Sequence, residues 1–245
     1  MKLLFAVLLL FFNSSIQSEI LVIGHRGAKG HVAENTLASI KKALNLGADG
    51  IEIDVFRCLT GEIVVFHDKK LGRLTNGVGL IENKSLTELK KLKVLGTNEQ
   101  IPTLNEVFEI IDHKTYLNIE LKGTNTAKLS LDIVKKQVQK KKFSRDNILF
   151  SSFNWEELKN LRKLDSNIKI ALITEENPLL AIVPALRLQA VAINPHYKKL
   201  NKKIVEEIFK AGLNIYTWTV NDKSQISRMK KLGVNGIITD YPERI

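Results

Sequence analysis

Gly24-His25-Arg26-Gly27 stands directly after an apolar run at residues 20–23, and the same pattern recurs down the chain. Glu52-Ile53-Asp54 lies within an apolar run at 50–56, Phe66-His67-Asp68 closes one at 62–66, and Glu120-Leu121-Lys122 closes one at 116–121. Each run has the length and β-branched content of a strand. Outward from these four stretches, strand-like and helix-like segments alternate. Further strands are expected at 147–152, 168–173, 190–193, 213–220 and 236–239. Helical spacing covers 34–46, 103–113, 127–142, 155–164, 178–188, 201–211 and 223–232. With the run at 62–66 set aside, eight strands in a βα alternation point to a closed parallel barrel. The 245 residues suit one such barrel, whose usual size is about 250.

Two segments interrupt the alternation. Leu59-Thr60-Gly61 permits only a tight turn, so 62–66 should fold back on 50–56 as a hairpin. A two-residue loop at 59–60 pairs 54 with 65 and 52 with 67, and a loop at 60–61 pairs 54 with 67. Either register sets His67 beside Glu52 and Asp54. Residues 68–101 then form an insertion with a short basic amphipathic stretch at 85–95, expected as a lid over the barrel mouth. Only residues 240–245 follow the last strand, so the eighth helix should be missing or vestigial.

The composition narrows the function classes. An apolar fraction of 44% is ordinary for a folded domain. The formal charge of +11 favours anionic partners such as phosphate esters or lipid headgroups. Most lysine runs, Lys135-Lys136 and Lys140-Lys141-Lys142 among them, read as solvated helix faces. No aromatic interleaving supports a nucleic-acid platform. The single cysteine, Cys58, excludes an intrachain disulfide and a thiolate zinc site and reads as a passive thiol in the hairpin turn. At the N-terminus, Lys2 precedes ten apolar residues at 3–12 and a small polar run. That pattern is a secretory signal over 1–18, which leaves one barrel domain over 19–245 and a periplasmic or secreted protein. The apolar stretch is short for a stable membrane span. An uncleaved anchor is the alternative.

The chemistry gathers at the strand ends, where barrels of this kind keep their reactive groups. Glu52 and Asp54 are two apart on one strand and share a face, as do Glu120 and Lys122. Carboxylates so close repel unless a cation lies between them or one is protonated. Three oxygen donors, Glu52, Asp54 and Glu120, favour a hard ion such as Mg²⁺ or Ca²⁺. The competing reading is a metal-free charge network paired to Arg26 and Lys122. His25 and His67 can serve as proton acceptor and donor in one cycle, as phosphodiester cleavage requires. Arg26 and Lys122 can neutralise phosphate oxygens. Trp218 and Phe153 offer flat walls for the substrate's alcohol portions, or else they pack the barrel core. His31, His113 and His196 have no such company and read as structural or surface residues.

Taken in order, His25-Arg26-Gly27, Glu34-Asn35-Thr36, Glu52-x-Asp54, His67-Asp68, Glu120-x-Lys122, Ser151-Ser152-Phe153, Trp218-Thr219-Val220-Asn221 and Thr239-Asp240-x-Pro242 resemble the glycerophosphodiester phosphodiesterase family. The resemblance implies a (β/α)₈ TIM barrel with a small insertion after the second histidine. It implies hydrolysis of glycerophosphodiesters to glycerol 3-phosphate and an alcohol. It further implies Ca²⁺ or Mg²⁺ on Glu52, Asp54 and Glu120, an acid/base pair of His25 and His67, phosphate contacts from Arg26 and Lys122, and supporting roles for Glu34 and Asn35. Two positions depart from the family pattern: Ala33 replaces a proline, and Leu74 replaces a threonine. The rival readings are a phospholipase D-type enzyme cleaving intact lipids on a related barrel, and a non-catalytic periplasmic binder of phosphorylated ligands.

Overall fold

The computed structural model describes residues 20–140 and 143–245, so the signal segment lies outside the described residues. Among the described residues there are nine strands: β1 (Leu21–His25), β2 (Gly50–Arg57), β3 (Ile63–Val65), β4 (Tyr116–Leu121), β5 (Ile148–Ser152), β6 (Lys169–Thr174), β7 (Ala192–Pro195), β8 (Asn214–Thr217) and β9 (Gly236–Thr239). All but β3 are parallel and run in the order β1-β2-β4-β5-β6-β7-β8-β9, with β9 closing on β1. The described helices are α1 (Leu37–Asn45), α2 (Leu86–Leu89), α3 (Leu104–Ile110), α4 (Ala127–Gln139), α5 (Trp155–Leu164), α6 (Ile182–Arg187), α7 (Lys202–Lys210) and α8 (Lys223–Leu232). All except α2, which lies in the insertion between β3 and α3, alternate one for one with the barrel strands, giving a (β/α)₈ barrel with seven of its outer helices among the described residues.

Strand periodicity explains how one sequence serves both faces of this wall. Outward residues such as Ile51, Ile53, Leu117, Ile119, Phe150, Leu172 and Ile193 are fully buried under the helices. Inward residues one step along each strand meet inside the barrel. The lowest form a small plug of Leu149, Ala171 and Ala192, packed by Tyr116 and Tyr216. Above that plug the inward positions turn polar, and a cavity opens toward the C-terminal ends of the strands.

The helix starts follow their caps. Thr36 accepts from the Ser39 amide at the head of α1, which leaves Glu34 and Asn35 in the preceding loop rather than in a helix from 34. Thr103 forms a capping box with Glu106 before α3, and the Asn154 side chain accepts from the Glu156 amide to cap α5. The segment at 178–188 splits into a 3₁₀ turn, Pro178–Ala181, and α6. After β9 only a 3₁₀ turn, Pro242–Arg244, follows. Buried Pro242 lies in it, and Ile245 packs on the barrel core.

The hairpin and the insertion differ from expectation. Val55 pairs with Val65, Phe56 with Val64 and Arg57 with Ile63, a register between the two expected ones. The turn is a three-residue loop, Leu59-Thr60-Gly61, because Gly61 takes φ of +101° and returns its N–H to the Cys58 carbonyl at 3.0 Å. β3 ends at Val65, so His67 reaches the site from the segment beyond the ladder, not from a paired strand position. The stretch at 85–95 is helical only over α2, where Ser85 and Glu88 form a capping box. The insertion is also not a lid: none of residues 68–101 lines the cavity. It packs Leu71, Ile81, Leu89 and Ile101 on Phe56, Cys58, Val64 and Phe66, one face of the hairpin. Leu74, the departure noted above, joins this small core, and the Cys58 thiol is buried in it.

Candidate active site

Each strand delivers its inward residue to the mouth. His25 is in register with Glu52, Glu52 with Asn118, Asp54 with Glu120, and Glu120 with Ser151. A cavity of about 210 Å³ is lined by His25, Arg26, Glu52, His67, Glu120, Lys122, Phe153 and Trp218, together with Asn118, Ile173, Glu175, Asn194, Thr219 and Ile238. Asp54 lies just behind this lining, buried, with its carboxylate among the other two acids. The sequence-derived set therefore converges, with Asp54, Glu34 and Asn35 in the layer behind.

The β1–α1 loop folds over the carboxylates. Arg26 and Asn35 adopt left-handed backbone at φ of 51° and 58°. The Arg26 amide donates to Glu52 Oε2 at 3.0 Å, and Asn35 Nδ2 donates to Asp54 Oδ2 at 2.8 Å. Gly27 permits this fold, for at its φ of +83° a Cβ would lie 2.5 Å from the Ser39 backbone. The Arg26 guanidinium donates to Glu34 at 2.6 Å and lies 3.1 Å from Asp54 Oδ2. Lys122 Nζ is 3.0 Å from Glu120, 3.8 Å from Asp54 Oδ1 and 3.3 Å from His67 Nε2.

Glu52, Asp54 and Glu120 each offer an oxygen within 4.8 Å of the others. Two buried oxygens, Glu52 Oε1 and Asp54 Oδ1, have no hydrogen-bond partner among the described residues. Burial first, and then the neighbouring acids Asp54 and Glu120, push the Glu52 carboxyl well above its ordinary pKa. Burial and Asp54 push Glu120 up to about 7 despite Lys122. Arg26 and Lys122 thus pair with the acids, as the metal-free reading required, yet they leave two acceptors unsatisfied. Convergent hard oxygens with free lone pairs fit a divalent cation.

Both histidines are held at Nδ1 by a carboxylate. His25 Nδ1 meets Asp240 Oδ1 at 2.6 Å, and His67 Nδ1 meets Asp68 Oδ1 at 2.6 Å. Each ring therefore has Nε2 left for other partners, and at His67 that atom lies 3.3 Å from Lys122 Nζ. Burial lowers the pKa of both imidazoles, more than their carboxylates raise it. Asp68 is itself held well below the carboxylate range by Arg73, which donates to it at 2.7 Å and to Glu34 at 3.2 Å. The insertion thus supplies Arg73 to a charged chain running from Arg26 through Glu34 and Asp68 to His67. Asp240 is fixed by Asn221, whose Nδ2 donates to its Oδ2 at 2.7 Å.

The aromatic wall is also assembled. Trp218 Nε1 donates to the Asn194 carbonyl at 2.8 Å, and Phe153 meets Trp218 edge-on at 5.5 Å between centroids. Phe153 is 44% exposed, which places it at the rim rather than in the core. His196 has more company than its sequence showed, meeting Trp218 edge-on at 5.2 Å. His31 ties the first loop to Glu243 at 3.0 Å, and His113 lies exposed beside Asp112. Sequence reasoning gave no role to Asp240, Arg73, Asn118, Asn194 or Glu175. Asp240 stands at a strand end next to a motif threonine, which was the available signal.

A sequence profile described as the glycerophosphoryl diester phosphodiesterase family matches residues 25–244. The chain belongs to that family. A glycerophosphodiester phosphodiesterase of Caldanaerobacter subterraneus subsp. tengcongensis is 39% identical, covering 92% of this chain and 96% of that one. Another from Bacillus subtilis is 30% identical over 91% of this chain and 84% of its own length. The solved structure of an Oleispira antarctica phosphodiesterase in complex with the product sn-glycerol-3-phosphate superposes with a TM-score of 0.84. It is 32% identical and covers 91% of this chain and 94% of its own. The match includes the β1 end, β2, the hairpin and β4, where this family member carries its cluster of acids and imidazoles.

Proposed function

We propose that this enzyme hydrolyses glycerophosphodiesters to glycerol 3-phosphate and an alcohol, with Ca²⁺ or Mg²⁺ held by Glu52, Asp54 and Glu120. The observation that carries this reading is the convergence at one cavity of three carboxylates, two of them with an unsatisfied oxygen, and two imidazoles each held at Nδ1 by an acid. Arg26 and Lys122 bring positive charge to the same wall and would bind the phosphoryl oxygens, Arg26 by its planar fork. When bound, the cation would neutralise charge developing on the phosphoryl group. One imidazole, neutral at pH 7 because burial lowers its pKa, takes a proton at Nε2 from the attacking oxygen, which is water in direct hydrolysis or the glycerol 2-hydroxyl in a route through a cyclic phosphate that water then opens. The new P–O bond forms as the bond to the departing alcohol breaks. The second imidazole delivers a proton from its own Nε2 to the leaving oxygen. Asp240 and Asp68 hold the rings and would stabilise the protonated forms. Phe153 and Trp218 wall the alcohol portions of the diester.

A coupled assay of glycerol 3-phosphate release tests this, run on stripped protein with Mg²⁺ or Ca²⁺ added back. Substrates would include glycerophosphocholine, glycerophosphoethanolamine and intact phosphatidylcholine. Cation-dependent release from the first two is expected. Turnover of the intact lipid alone would favour the phospholipase D-type reading, and tight binding without turnover the non-catalytic one. We also propose export through residues 1–18. No helix among the described residues is long and apolar enough to cross a membrane. Mass measurement of the protein recovered from a secreting host tests cleavage, and retention of residues 1–18 would oppose it.

A further inference from the structure

Asn194 is the buried polar side chain that the mechanism above leaves without work. It sits on β7, whose place in the barrel order is directly across from β2 and its acids. Its side chain shares the inward face with Ala192 and lines the cavity above the apolar plug. The residue is 1% exposed, and neither Oδ1 nor Nδ2 has a hydrogen-bond partner among the described residues. A buried amide without a protein partner takes its hydrogen bonds from whatever fills the cavity.

Its neighbours cannot relieve it. Ile173, in register on β6, and Ile238 on β9 supply only hydrocarbon. The Trp218 indole N–H is already given to the Asn194 backbone carbonyl. Asn118, also on the cavity wall, differs in that its Oδ1 accepts from the Ser151 hydroxyl at 2.8 Å. What remains is an uncharged group offering two donors and an acceptor oxygen beside the hydrocarbon of Ile173 and Ile238. An anionic phosphate would use only the donors, and it has Arg26 and Lys122 on the other side. A cationic headgroup would use only the acceptor. A pair of neighbouring alcohol hydroxyls uses both, since one oxygen accepts from Nδ2 while the other hydroxyl donates to Oδ1. That pattern belongs to the glycerol half, which every glycerophosphodiester shares. The variable alcohol is left to the open rim beside Phe153 and exposed Glu175.

We infer that Asn194 is a specificity-determining residue that reads the two glycerol hydroxyls and so fixes which half of the diester is retained as the phosphate monoester. This deepens the proposed function and rests on it. The test is calorimetric binding of sn-glycerol 3-phosphate and of propyl phosphate, which lacks both hydroxyls, to the full chain in Mg²⁺- or Ca²⁺-containing buffer. Wild type should bind glycerol 3-phosphate at least ~30-fold more tightly, because a site built to bond hydroxyls is left unpaired by the analogue. Asn194→Leu should bring that ratio below about threefold by weakening glycerol 3-phosphate alone, and Asn194→Ser should give an intermediate ratio. A ratio unchanged in both variants would overturn the assignment, as would equal weakening of both ligands, which marks a purely structural role. Equal binding of the two ligands by wild type would overturn it as well. If wild type keeps the preference but releases no glycerol 3-phosphate from glycerophosphocholine, the hydrolase reading fails and the role of the amide stands.

Discussion

Asp240→Asn isolates the hydrogen-bond logic behind His25. Asn221 Oδ1 accepts from the Asp240 amide at 2.9 Å and from Thr239 Oγ1 at 3.2 Å, so its Nδ2 must face residue 240. An asparagine at 240 would answer that donor with its own amide oxygen, which turns its NH₂ toward His25 Nδ1. The imidazole would then have to accept at Nδ1 and carry its proton on Nε2, the atom that should take a proton in catalysis. The wild-type bond at 2.6 Å joins a carboxylate to a buried ring, the charge-assisted kind worth about 1.5–3 kcal/mol. Misplacing the proton adds the loss of one acid/base partner, typically 10²–10⁴-fold, or about 3–5 kcal/mol. We therefore expect Asp240→Asn to lower kcat by ~10²–10⁴-fold with an unchanged fold. The exchange Asn221→Asp with Asp240→Asn should recover part of that loss. The carboxylate then at position 221 would accept from the new NH₂ at position 240 and leave the amide oxygen there to face His25. Kinetics in the coupled assay and ¹⁵N shifts of the His25 ring report the two halves of the claim. A loss under threefold, or a double variant no better than the single, would refute it.

Other consequences can be checked together. His25→Ala and His67→Ala should each cost at least ~10²-fold in turnover, and losses below tenfold in both would remove the pair from the mechanism. Glu157 accepts from the amides of Asn125, Thr126 and Ala127 at 3.0–3.1 Å and caps α4 from α5. Glu157→Ala should lower unfolding free energy by about 2–4 kcal/mol in a urea titration without changing the cation requirement. The pH dependence of the metal-free protein follows from Glu120, whose pKa rises from 4.5 to about 7 in the fold. The native state then holds more protons than the unfolded chain between those values, so stability falls as pH rises through that window. The scale is on the order of 3 kcal/mol. Melting temperatures of stripped protein should drop from pH 5 to pH 8 relative to Glu120→Gln, and added Mg²⁺ or Ca²⁺ should reverse the drop.

The eight-stranded alternation was legible because each strand carries an apolar outward face and ends in a group too costly to bury without purpose. Glu52, Asp54 and Glu120 could be grouped by parity alone, since parallel strands in register bring inward residues to one level. The hairpin register was not legible to one residue, because the left-handed backbone at Gly61 makes a three-residue loop compatible with the same composition. The lid expectation failed for a different reason. The insertion's Leu71, Ile81 and Leu89 had partners in Phe56 and Phe66, which extend the Asp54 face of the hairpin and draw the insertion onto it. The contacts between His25 and Asp240, 215 positions apart, and between Arg73 and Glu34 arise only when the barrel closes and the insertion docks. Asn194 carried no sequence signal, since an asparagine near a strand end more often caps a turn.

The most direct measurement is calorimetric titration of stripped protein with Ca²⁺ and Mg²⁺, repeated on Glu52→Gln and Glu120→Gln. One cation per chain should bind to wild type with release of protons from the acid cluster, and the affinity should weaken as pH falls below about 7. Both variants should lose at least ~10²-fold in affinity while keeping the fold. Cation binding that survives both substitutions unchanged, or no binding by wild type, would contradict a metal centre on these acids.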